Sequence, residues 1–131
     1  MRVQPTSSSK LRVRNRTRDT VLADRADIAD TSVKRRTGLL KHTGLAPGEG
    51  LWIIPCEGVH TFGMNFTIDV LFLSKKRKDT GTVKVLKVRT MAKRRMALSL
   101  FANSVLELPA GMAKTTHTVA GDELEMERMG G

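Results

Sequence analysis

Residues 10–18 read Lys-Leu-Arg-Val-Arg-Asn-Arg-Thr-Arg. In an extended chain, successive side chains point to opposite faces. Leu11, Val13, Asn15 and Thr17 therefore fall on one side, and Lys10, Arg12, Arg14, Arg16 and Arg18 on the other. This period of two predicts a half-buried strand with a cationic outer face.

Working outward, residues 1–9 are polar and Ser-rich and are expected to form a disordered tail, with the globular domain spanning 10–128 and a flexible end at 129–131. Residues 20–30 are mixed and assign no element. Asp30, Thr31 or Ser32 can cap a short helix running to about Leu40, with Val33, Thr37 and Leu40 as its inner stripe. Gly44, Pro47, Gly48 and Gly50 mark a loop before a strand at Leu51–Ile54. The apolar run Ile68–Leu73 predicts a further strand, and Ser74–Gly81 a hairpin tip. Val83–Arg89, Val105–Leu108 and Glu123–Glu127 complete the set, the last following a Gly121-Asp122 turn. About six short strands with one short helix predict a mainly β fold, α+β by content, built as a small sandwich or partly closed barrel.

The chain has 131 residues and 23 Lys and Arg against 13 Asp and Glu, a formal net charge of +10. The excess lies in residues 1–100, whereas 101–131 are net acidic. No run approaches the roughly 18 apolar residues that span a bilayer. The start lacks a signal-type apolar stretch, and the single Cys56 fits a reducing compartment, so a cytoplasmic location is expected.

Four blocks then resemble a known family in order and spacing. They are Gly38-Leu39-Leu40 with Leu45 and Gly48–Ile53; His60-Thr61-Phe62-Gly63-Met64 with Ile68–Leu73; Val105–Gly111; and Gly121-Asp122. Together they resemble the family called domain of unknown function 192. In its commoner form a Trp-Met-Lys-Asn-Thr run stands where His60 to Met64 stand here. The resemblance implies a small, mainly β domain and no particular activity.

Several residues have side chains suited to chemistry. Cys56, His60 and Met64 are soft or borderline donors spaced four apart. Along one strand that spacing is roughly 13 Å, beyond the reach of a shared metal. Only a three-residue loop at Glu57-Gly58 would set Cys56 opposite His60, whereas a two-residue loop faces them apart. No metal or other cofactor is expected. Asp69 lies inside an apolar run, so it needs hydrogen bonds or a charged partner. Glu107 is expected on a solvent-facing side of its strand. Gly48 and Gly50 lack the Lys-Ser/Thr of a phosphate loop.

Three functions follow as expectations. The first is a non-catalytic binding module with a cleft near His60–Met64, drawing on Trp52, Cys56, Thr61, Phe62 and Asp69. The second is binding of nucleic acid or an acidic partner through a basic surface. That surface comprises Arg12, Arg14, Arg16 and Arg18, then Lys75, Lys76, Arg77 and Lys78, then Lys93, Arg94 and Arg95. Aromatic residues for stacking single strands are few, and no helix-turn-helix or zinc-finger pattern is present. The third is a hydrolase-like enzyme in which Asp69 orients His60 beside Cys56 or Thr61 as nucleophile.

Overall fold

Period-two segments dominate the computed structural model, which describes residues 10–38, 44–56, 58–60, 66–92, 96–99 and 101–129. The strands are β1 (Lys10–Asn15), β2 (Thr20–Ala29), β3 (Leu51–Ile53), β4 (Gly58–His60), β5 (Ile68–Leu73), β6 (Val83–Met91), β7 (Met96–Leu98), β8 (Ser104–Pro109) and β9 (Glu123–Met129). Two short helices, α1 (Ser32–Thr37) and α2 (Met112–Thr115), complete the described elements. The fold is mainly β. Seven strands close into a barrel in the order β1-β2-β3-β8-β5-β6-β9, and β4 pairs with β7 as a separate ribbon.

The opening strand behaves as its alternation predicts. Leu11, Val13 and Asn15 are buried, and Arg12 and Arg14 look outward. Antiparallel pairing with β9 sets Arg12 opposite Glu127 and Arg14 opposite Glu125. The acidic end of the chain thus lies against its basic start, and both faces of the two strands are in phase. Thr17 and Arg18 differ from expectation. They are exposed in the β1–β2 turn, not part of the strand.

β2, like the short β4 and β7, has no counterpart among the strands expected from the sequence. Its pairing with β1 shifts register between Leu11 and Val13 and again between Val13 and Arg14. Each shift places two consecutive residues on one side, so Leu22 and Ala23 are both buried while Asp24 and Arg25 are both exposed. Bulges of this kind erase the period of two that sequence reading depends on.

Two apolar clusters share the sheet. Leu22, Ala26, Trp52, Leu71, Leu106 and Leu124 belong to the cluster inside the barrel. Ile53, Ile68, Val70, Phe72, Met91 and Val105 form a second cluster on the outer face of β3, β8, β5 and β6, with Cys56, Phe66, Ala97 and Ala102 packed against it. β5 is buried at all six positions for this reason. Strands covered on both faces read as continuous apolar runs. The same layer buries Glu107, 4% exposed, contrary to its expected solvent-facing position.

Helix α1 is shorter than predicted. The Thr31 hydroxyl accepts from the Lys34 amide at 3.2 Å, and Gly38 ends the helix at a positive φ of 50°. None of its residues is buried, and Val33 is 64% exposed, so no inner stripe forms. The helix is held by Arg35, which donates to the carbonyls of Asp30 and Ile54. Leu40 lies outside the described residues.

One barrel end is stoppered. Asp69 Oδ2 accepts from the Ala113 amide at 2.9 Å in the first turn of α2, and Oδ1 accepts from the Thr90 hydroxyl at 2.7 Å. Ala113 joins the interior cluster and Met112 packs against it. Beside this stopper, the Asn15 amide donates to Thr118 Oγ1 and Asp122 Oδ2, each at 3.0 Å. Among the described residues, no helix is long and apolar enough to cross a membrane.

Candidate functional site

The opposite barrel end has no helix over it in the described residues. β1 contributes Leu11 there, β3 Trp52, β8 Ser104 and β9 Met126 and Arg128. Inward positions on β9 run Leu124, Met126, Arg128, so the strand that is apolar at the stoppered end turns cationic at the open one. Ser74 and Lys76, from the β5–β6 connection, and Asn103 complete the polar rim. Together with Ile54 and Val83 these residues enclose a cavity of ≈ 390 Å³.

Two polar groups in this cavity lack partners among the described residues. Trp52 is 9% exposed and Ser104 1%. Neither Trp52 Nε1 nor Ser104 Oγ has a hydrogen-bond partner among the described residues. A buried polar group left unpaired costs about 1–3 kcal/mol. The indole N–H is a donor only, so it calls for an acceptor. Arg128 stacks on this indole, with Cζ 5.7 Å from the ring centroid, a cation–π distance.

A second groove of ≈ 530 Å³ runs past α2 and touches Asp69, Thr90 and Thr118. Three of its polar side chains are already used, since Thr90 donates to Asp69 and Thr118 bonds Asn15 and Thr116; Lys114 also lines it. Asp122, beside it, is 2% exposed. Burial pushes its carboxyl pKa up, but bonds from Asn15, Arg18 and the Val119 amide, with the charge of Arg18, outweigh burial and hold it below the ordinary carboxylate value. Glu107 is the converse case. Burial, unopposed by any donor to Oε1 among the described residues, pushes its pKa up to about 7.

The predicted site residues divide into three groups. Trp52 lines the open end, with partners that the sequence did not indicate. Cys56 is half-buried against the outer cluster, and Asp69 lies at the stoppered end. Strand β4 pairs with β7, His60 opposite Met96, and among the described residues no strand pairing joins Cys56 to His60; Glu57, in the proposed turn, lies outside the described residues. The His60 side chain and Thr61, Phe62 and Met64 lie outside the described residues. Among the described residues, no group of three His, Cys, Asp or Glu could hold a metal.

Half of the described residues of the predicted basic surface are matched by acid. Arg12 faces Glu127 at 3.8 Å, and Arg14 reaches Asp19 at 2.5 Å and Glu125 at 4.0 Å. Arg18 reaches Asp122 at 3.1 Å, and Arg77 reaches Glu123 at 3.1 Å. Arg16, Lys75, Lys76 and Lys78 are exposed. Lys93, Arg94 and Arg95 lie outside the described residues. Sequence reasoning missed Ser104 and Arg128. The readable signal for Arg128 was its place in phase with Leu124 and Met126, where a third apolar residue would continue the core.

A small closed β-barrel, stoppered at one end and with a cavity at the other that no helix covers among the described residues, is the class of protein these features define. Residues 13–126 match the model of the family DUF192, "Uncharacterized ACR", and the chain belongs to that family. A crystal structure from Sinorhizobium meliloti 1021, provisionally named a transcription regulator, superposes with a TM-score of 0.75 at 18% identity, covering 95% of this chain and 98% of that one. A protein of unknown function from Novosphingobium aromaticivorans DSM 12444 gives 0.73 at 20% identity, covering 95% and 91%. These likenesses establish a shared fold. No curated protein matches the sequence.

Proposed function

We propose that the chain is a small-molecule binding module whose ligand sits in the open end of the barrel. One observation carries this reading: two buried hydrogen-bonding groups, Trp52 Nε1 and Ser104 Oγ, lack partners among the described residues and line one cavity. The cavity volume, ≈ 390 Å³, falls in the range of about 300–1,000 Å³ usual for ligand pockets. Mixed apolar walls and a few convergent polar groups are also the usual composition of such sites.

Trp52 is the only Trp and the chain has no Tyr, so intrinsic fluorescence reports on this site directly. The test titrates a panel of nucleotides, sugar phosphates, organic acids and neutral sugars while reading Trp52 emission and melting temperature. A saturable emission change with a raised melting temperature is expected for at least one class. A compound that raises the melting temperature without altering Trp52 emission places the ligand elsewhere and refutes the reading.

A further inference from the structure

We infer that the open end of the barrel takes an anionic small molecule, a phosphate or carboxylate carried on an apolar or aromatic body. This deepens the binding reading above and rests on it.

The charge at the rim is one-sided. Lys76 and Arg128 line the cavity, and among the described residues no carboxylate does. Several arginines elsewhere on the barrel meet acids, Arg12 with Glu127, Arg14 with Asp19 and Arg18 with Asp122, whereas Arg16 and Arg89 are exposed on the outside. Among the described residues, Lys76 and Arg128 have no such partner. Arg128 also occupies an inward-facing position on β9, in phase with Leu124 and Met126. A cation placed there is turned toward the barrel mouth instead of the matched outer face.

The hydrogen-bonding chemistry points the same way. The indole of Trp52 can only donate, so its N–H, unpaired among the described residues, calls for an acceptor that a ligand would supply. The Ser104 hydroxyl can donate beside it. Arg128 stacks on the indole face at 5.7 Å, which leaves the guanidinium edge available for two parallel bonds to a phosphate or carboxylate. Donors and cations thus converge without an acidic competitor. The remaining wall, Leu11, Ile54, Val83 and Met126, suits an apolar ligand body.

The test titrates the full chain with phenyl phosphate, benzoate and benzyl alcohol, reading Trp52 emission at low and high salt. At least one anion should bind about tenfold or more tightly than benzyl alcohol, and added salt should weaken it. Which anion binds better identifies the acid group. Arg128→Gln should weaken anion binding by about tenfold or more, the loss of a charge-assisted contact. Arg128→Lys, which keeps the charge but not the fork, should fall between. Circular dichroism of both variants should match the parent. Benzyl alcohol binding as tightly as either anion, with no effect of Arg128→Gln, overturns the anion assignment and leaves the pocket standing. No emission change with any of the three compounds overturns both.

Discussion

Replacing Glu107 by Gln should change how stability depends on pH. Glu107 lies on β8 between Leu51 of β3 and Val70 of β5. Its side chain enters the outer apolar layer at 4% exposure, and burial raises its pKa from 4.5 to about 7. Below pH 4.5 the folded and unfolded chains both carry the proton, and the site imposes no penalty. Between the two values the folded chain keeps the proton that the unfolded chain has released, so stability falls as pH rises. Above pH 7 the penalty is constant. A gap of about 2.5 pH units, at about 1.4 kcal/mol each, makes the full penalty about 3.5 kcal/mol, of which about 3 kcal/mol develops between pH 4.5 and 8. Gln does not titrate. The stability of Glu107→Gln minus that of the parent should therefore climb by about 3 kcal/mol between pH 4.5 and 8. Urea unfolding of both proteins across that range measures it. A fixed offset from packing the amide drops out of the slope, as does titration of Asp122, common to both. A difference that stays flat within about 0.5 kcal/mol would refute the assignment of a buried, undercompensated carboxyl.

Asp69→Ala removes the acceptor for both Thr90 and the Ala113 amide, and should cost about 3 kcal/mol in urea unfolding. Thr90→Ala, which deletes one of those donors, should cost about 1 kcal/mol, and equal losses would show that the tie to α2 carries no weight. Ser104→Ala removes a buried hydroxyl that has no partner among the described residues. It should leave stability unchanged or raise it by about 1 kcal/mol while weakening ligand binding at the barrel mouth. A stability loss above about 1 kcal/mol would mean that the hydroxyl is already satisfied in the folded chain.

Legibility followed the local pattern. The alternation of Lys10–Asn15, the doubly apolar Ile68–Leu73 and the turn at Gly121-Asp122 were readable because each signal spans only a few residues. β2 was not, because its bulges break the period. Glu107 departs from its expected solvent face for a related reason. Alternation reports which residues share a face, but not whether a second layer covers that face. Val33 was assigned an inner stripe that the tertiary structure leaves in solvent. For the candidate site, Trp52 was the one member singled out as a pocket residue. Lys76 was read as surface charge, and Ser104 and Arg128 carried no signal strong enough to select them.

By itself the sequence determined the mainly β class and the facing of its regular strands, because side-chain alternation is a property of the extended backbone. Only the tertiary structure decided which strands became neighbours. Pairing β1 with β9 joins residues more than a hundred positions apart and sets Arg12 and Arg14 against Glu127 and Glu125. The same closure brings Trp52, Ser104 and Arg128 from three separate strands to one mouth. No periodicity within a short window encodes that meeting, since it arises from long-range hydrogen bonding and the burial of two separate apolar faces.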